Sequence, residues 1–116
     1  MLTKNVVRDL KEINRNFANG VIVNKGSLEF ALNAASKSND WQEQLAYIVR
    51  ALLCDHIFVD GNKRAAAAYI MAMQKRLKYR YDSFKIDKLV LDIARNNIAD
   101  VKKIRRRIQN ATPKHI

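Results

Sequence analysis

A chain of 116 residues can bury one hydrophobic core and leaves little room for a second domain. Its formal charge of +11 draws acidic partners, with nucleic acid, an acidic protein and a nucleotide all in range, while a lone cysteine excludes an internal disulfide and a cysteine-rich zinc site. Three glycines and one proline favour long helices; the N-terminus lacks the continuous apolar run of a signal peptide and no window approaches a membrane span, so a reducing, cytoplasmic setting is expected.

The first helix is expected over 3–17, with Thr3 as cap and Val6, Leu10, Ile13 and Phe17 recurring at spacings of three and four. Asn19-Gly20 breaks it. The β-branched run Val21-Ile22-Val23-Asn24-Lys25, flanked by Gly20 and Gly26, suits an extended flap. Ser27 reads as the cap of a short helix through Leu28, Phe30, Ala31, Leu32 and Ala35. After a polar loop, Asp40 can cap a long helix over 41–54 whose apolar face is Leu45, Ile48, Val49, Leu52 and Leu53. Asn62 opens a helix that is apolar almost all round, the pattern of a central buried helix. Residues 78–84 read as a turn with a short extended piece. A helix over 86–97 turns Leu89, Val90, Ile93 and Ala94 inward, and Asp100 starts a final basic helix over 101–109. There is no internal repeat and no linker dividing the chain.

The chemistry-bearing stretch is His56-Ile57-Phe58-Val59-Asp60-Gly61-Asn62-Lys63-Arg64, a polar loop between two packed helices. Gly61 permits backbone angles closed to other residues. The amides of residues 61–64 fall at a helix start, where unpaired N–H groups bind phosphate, and Lys63 and Arg64 add two cations there. Asp60 stands beside this cradle and could bind Mg²⁺, which takes one or two carboxylates together with phosphate oxygens. A histidine, here His56, can accept a proton from an attacking hydroxyl. Phe58 is apolar in a polar loop and is expected to anchor it. Any one of these residues alone would read as an ordinary turn or cap; their concentration in nine positions points to a site.

HIFVDGNKR resembles the Fic/Doc signature H-x-F-x-[DE]-[GA]-N-[GK]-R at every defined position. The resemblance covers nearly the whole chain, and GVIVNKGSLEFAL is similar to the family's flap and following short helix. It implies an all-α fold, a compact Fic/Doc-type helical bundle with a short β flap after the first helix, and ATP and Mg²⁺ as cofactors. By the same resemblance His56 is the general base, Phe58 the structural anchor and Asp60 the Mg²⁺ ligand. Gly61, Asn62, Lys63 and Arg64 bind the phosphates, and the flap residues Val21, Ile22, Val23, Asn24 and Lys25 align the target protein as an added strand.

Members that transfer AMP carry a second glycine where this chain has Lys63, and often a further arginine where it has Ala67. Lysine matches the Doc branch, the death-on-curing toxins, which move the terminal phosphate of ATP to a protein hydroxyl and whose known target is elongation factor Tu. The expected activity is therefore a protein Ser/Thr phosphotransferase. Protein adenylylation, or a module that binds nucleotide or protein without turnover because residues 65–68 are all alanine, are the alternatives. The inhibitory pattern [ST]-x-x-x-E-[GN] of many Fic proteins does not occur, so restraint would come from a separate antitoxin. The basic C-terminal segment, with Lys102, Lys103, Arg105, Arg106, Arg107 and Lys114, is a further docking candidate for an acidic target or nucleic acid. No helix-turn-helix, zinc or RRM pattern supports nucleic acid as the main partner.

Overall fold

Helical spacing of apolar residues dominates the chain, and the computed structural model, which describes residues 5–113, is built on it. Six helices occur among the described residues: α1 (Val6–Arg15), α2 (Lys25–Ser36), α3 (Trp41–Leu53), α4 (Asn62–Arg76), α5 (Ser83–Asn96) and α6 (Val101–Asn110). Among the described residues, none is long and apolar enough to cross a membrane.

Two helices form the centre. α3 packs against α2, α4, α5 and α6, while α4 packs against α1, α3 and α5. With neighbours on several sides, α3 buries Gln44, Ala46 and Ala51 as well as the expected face of Leu45, Ile48, Val49, Leu52 and Leu53. In α4, Ala65, Ala66 and Ala67 are buried, and their small side chains let adjacent helices approach. Further along, Tyr69, Ile70 and Met73 fill the middle. Buried apolar side chains from all six helices join in one cluster.

Most helix starts are set by a side chain. Asn24, Asp40, Asp82 and Asp100 accept from the N–H of Ser27, Gln42, Lys85 and Lys102 respectively. Asp40 and Asp100 cap as expected. The other two move element boundaries. Asn24, not Ser27, caps α2, so Lys25 lies in the helix and not in an extended flap. Asp82 draws Ser83, Phe84 and Lys85 into α5, shortening the expected turn. The cap expected of Thr3 lies outside the described residues. α1 stops at Arg15, and Phe17 sits in the turn beyond, 38 % exposed and outside the core face predicted for it.

The segment between α1 and α2 forms no named strand. It carries one antiparallel bridge, Ile22 to Phe58, with Ile22 buried and Val21 and Val23 exposed on either side. α6 docks through Ile104 and Ile108, both fully buried as their spacing predicts. Arg105 pairs with Asp40, and Arg107 with Asp92 of α5 at 2.7 Å, so two of its cations tie helices together while Lys102, Lys103 and Arg106 remain exposed. Lys114 lies outside the described residues.

Candidate functional site

The loop from α3 to α4 is fastened by hydrogen bonds to its backbone, among them those from the side chains of three asparagines, Asn14, Asn24 and Asn62. α3 ends at Leu53, and the chain reverses through His56, which takes a left-handed backbone with φ 52°. For a residue with a side chain that conformation costs about 1–2 kcal/mol, a strain the surrounding bonds must hold. Ile57 and Phe58 then plunge into the core, 0 % and 1 % exposed. Phe58 anchors the loop as expected. The Ile57 carbonyl accepts the N–H groups of Val23 and Asn24 at 2.8 and 3.2 Å, and Asn24 Nδ2 donates to the Asp55 carbonyl at 2.9 Å. The extended segment and the loop are thereby one unit.

Beyond Phe58 the chain returns to the surface. Val59 and Asp60 are exposed, and Gly61 takes φ 77° as the residue preceding α4. That left-handed angle is the conformational freedom glycine was expected to provide. Asp60 Oδ1 accepts the Gly61 N–H at 2.8 Å, leaving its other carboxylate oxygen for a cation. Asn62 is buried, and its side chain closes on the Phe58 backbone, so its part in the site is carried chiefly by position at the helix start.

The head of α4 has no side-chain cap. Its first intrahelical bond of this end is Ala65 N–H to the Gly61 carbonyl at 2.9 Å, so the amides of Asn62, Lys63 and Arg64 have no acceptor within the helix. The first turn contains no acidic residue and carries exposed Lys63 and Arg64 instead. Cations there oppose the helix dipole, and an anion relieves both the repulsion and the open donors.

These residues share one cleft of about 670 Å³, lined by His56, Val59, Asp60, Gly61, Asn62, Lys63 and Arg64 from the loop and α4, and by Phe17, Leu53, Ala94 and Asn97. The volume is within the usual small-molecule range of about 300–1,000 Å³. The cleft brings together every expected residue of the loop except Phe58, which lies beneath it. The flap residues Val21 to Asn24 do not line it; they meet the loop at Ile57 and Phe58, and Lys25 heads α2.

Four wall residues were not expected from sequence. Phe17 lies under the Arg64 guanidinium, 5.8 Å from ring centroid to the guanidinium carbon. Asn97 ends α5 with φ 48°, a left-handed cap. Behind the wall, Asn14 is fully buried and bonds the Asp60 carbonyl at 2.9 Å. A polar residue four positions after Leu10, on the apolar face of α1, was the sequence signal for it. Among the described residues no group of three or more His, Cys, Asp or Glu side chains could hold a metal. Asp60 alone suits a cation that draws its remaining ligands from phosphate and water, as Mg²⁺ does. Comparison with protein-family models, curated proteins and solved structures finds no match to this chain.

Proposed function

We propose that this chain is an ATP-using protein Ser/Thr phosphotransferase of the Doc kind, working in the cleft at the head of α4. One observation carries the reading: an uncapped helix start, bearing Lys63 and Arg64 in its first turn, lines the same cleft as His56 and Asp60. Open amides and paired cations suit a polyphosphate, a hydroxyl substrate needs a proton acceptor, and the one carboxylate suits a phosphate-bound cation.

In this reading Arg64 grips phosphate oxygens through its planar fork, and Lys63 adds a mobile point charge. Asp60, with one carboxylate oxygen not engaged by the Gly61 N–H, is the residue that would hold Mg²⁺, whose chemistry there would be charge neutralisation on the phosphate oxygens. His56 takes the proton of a Ser or Thr hydroxyl as the new O–P bond forms and the bond from the γ-phosphorus to the bridging oxygen breaks, releasing ADP. The loop's fastening to buried Phe58, to Asn14 and to the extended segment keeps these groups in place, which matters because phosphoryl transfer depends on positioning and electrostatics. The target segment lies along Val21 to Asn24, beside the bridge from Ile22 to Phe58. The resemblance of HIFVDGNKR to the Doc signature supports this reading independently of the geometry, and elongation factor Tu is the first target to try.

Purified elongation factor Tu incubated with the chain, ATP and Mg²⁺ is expected to gain the mass of a phosphoryl group on Ser or Thr, and to gain none with His56→Ala. A gain of an adenylyl group would replace phosphate transfer with AMP transfer. No covalent gain would remove this target from the reading.

A further inference from the structure

Asn14 is fully buried near the C-terminal end of α1, and its side chain reaches away from that helix at both ends. Its Oδ1 accepts the N–H of Gly20 at 2.8 Å, where the chain enters the extended segment. Its Nδ2 donates to the Asp60 carbonyl at 2.9 Å. The planar peptide unit that carries this carbonyl also carries the Gly61 N–H, so holding one fixes the other. That N–H is bonded to Asp60 Oδ1 at 2.8 Å. A single buried amide therefore orients the peptide between Asp60 and Gly61, and with it the Asp60 carboxylate and the entry to α4.

The same Nδ2 lies 2.9 Å from the point where a Cβ on Gly61 would stand, closer than real Cβ contacts come. Gly61 is thus constrained twice, by its φ of 77° and by the side chain of Asn14. Neither residue can be altered without consequence for the other.

We infer that Asn14 is a positioning residue that sets the anion cradle at the head of α4 and holds it in register with the extended segment. The inference rests on the phosphotransferase reading only for the identity of the anion. Asn14 touches no substrate; it acts through the Asp60–Gly61 peptide. Through Gly20 it also links the two expected binding places, the phosphate cleft and the target segment.

The decisive variant is Asn14→Asp, which keeps an acceptor for Gly20 and loses the donor to the Asp60 carbonyl. The probe is inorganic tripolyphosphate, followed by the backbone amide resonances of Asn62, Lys63 and Arg64. The parent is expected to bind it with shifts at these amides, and the folded variant to bind at least tenfold more weakly while its α3 and α6 resonances stay in place. Binding by the folded variant within twofold of the parent overturns the inference, and a purely structural role would leave that affinity unmoved. Asn14→Ser, which adds no charge beside the cradle, is measured in the same way whether or not Asn14→Asp folds, and a loss confined to Asn14→Asp is repulsion of the anion and overturns the inference. A second arm needs no ligand. Gly61→Ala is made in the parent and in Asn14→Ala, and thermal midpoints are compared. The backbone strain is common to both backgrounds, so a smaller loss beside Asn14→Ala supports the coupling, and equal losses overturn it. A parent that binds no tripolyphosphate overturns the cradle itself; a parent that binds it but transfers no phosphate overturns only the phosphotransferase reading.

Discussion

The side-chain amide of Asn62 closes on both backbone groups of Phe58: Oδ1 accepts the Phe58 N–H at 3.0 Å, and Nδ2 donates to the Phe58 carbonyl at 2.8 Å. The first residue of α4 is thereby locked to the anchor of the loop, four residues back. Asn62→Ala leaves two buried backbone groups unpaired, at about 1–3 kcal/mol each before relaxation or water entry. Urea unfolding is expected to show a loss of about 2 kcal/mol or more. A loss below about 0.5 kcal/mol would mean that the clip does not hold the loop.

Arg64 and Lys63 are expected to separate in their effect on ATP. A charge-assisted bond from a guanidinium fork is worth about 1.5–3 kcal/mol, so Arg64→Ala should weaken ATP binding about tenfold or more, measured by calorimetry. Lys63, a flexible point charge, should lose less when changed to alanine. Both losses should shrink as salt is raised, because both side chains are exposed. Unchanged affinity in Arg64→Ala would remove it from the phosphate site.

Acid sensitivity should pass partly through Asp92. The Arg107 hydrogen bond, with a further bond from Asn96, holds its carboxyl below the usual carboxylate range. A depressed folded pKa gives stability that is present above the ordinary carboxylate pKa and lost as pH falls through the folded value. The melting temperature of the parent should therefore exceed that of Asp92→Asn at neutral pH, by a small margin for so exposed a pair, and the gap should close in acid. A gap that widens in acid would contradict the assignment.

Alkaline sensitivity has a different source. Burial, reinforced by the negative charge of Asp55, pushes the Cys54 thiol above its ordinary value, and the sulfur lies 3.2 Å from the Ile98 carbonyl. The folded state then holds its proton longer than the unfolded state. Stability from this source is complete below the unfolded thiol pKa and is lost as pH rises through the folded one. Cys54→Ser should flatten the fall in melting temperature on the alkaline side, and iodoacetamide should react with the folded protein more slowly than with the protein in urea.

The sequence announced most of the fold through spacing and caps. α3 and α6 were legible because Asp40 and Asp100 stand directly before sustained apolar periods, and Ile104 and Ile108 docked as their interval required. α2 and α5 began earlier than expected, since Asn24 and Asp82 cap ahead of Lys25-Gly26 and Ser83-Phe84-Lys85, exposed residues that do not extend the buried apolar period. Phe17 misled because it continues the rhythm of Leu10 and Ile13, yet the helix has already ended at Arg15. The loop residues of the site announced themselves by density within nine positions. Asn14 showed only as a polar residue on the Leu10 face of α1; its partner Asp60 is 46 residues away, and only tertiary packing brings the two together. Nor could local pattern show that Asn62 spends its side chain on Phe58.

The most direct test of phosphate transfer uses ATP labelled at either the α or the γ phosphate, incubated with lysate and the purified chain beside His56→Ala. Label entering protein from the γ position alone, and only when His56 is present, is the expected result. Label from the α position, or no His56-dependent label from either position, would contradict it.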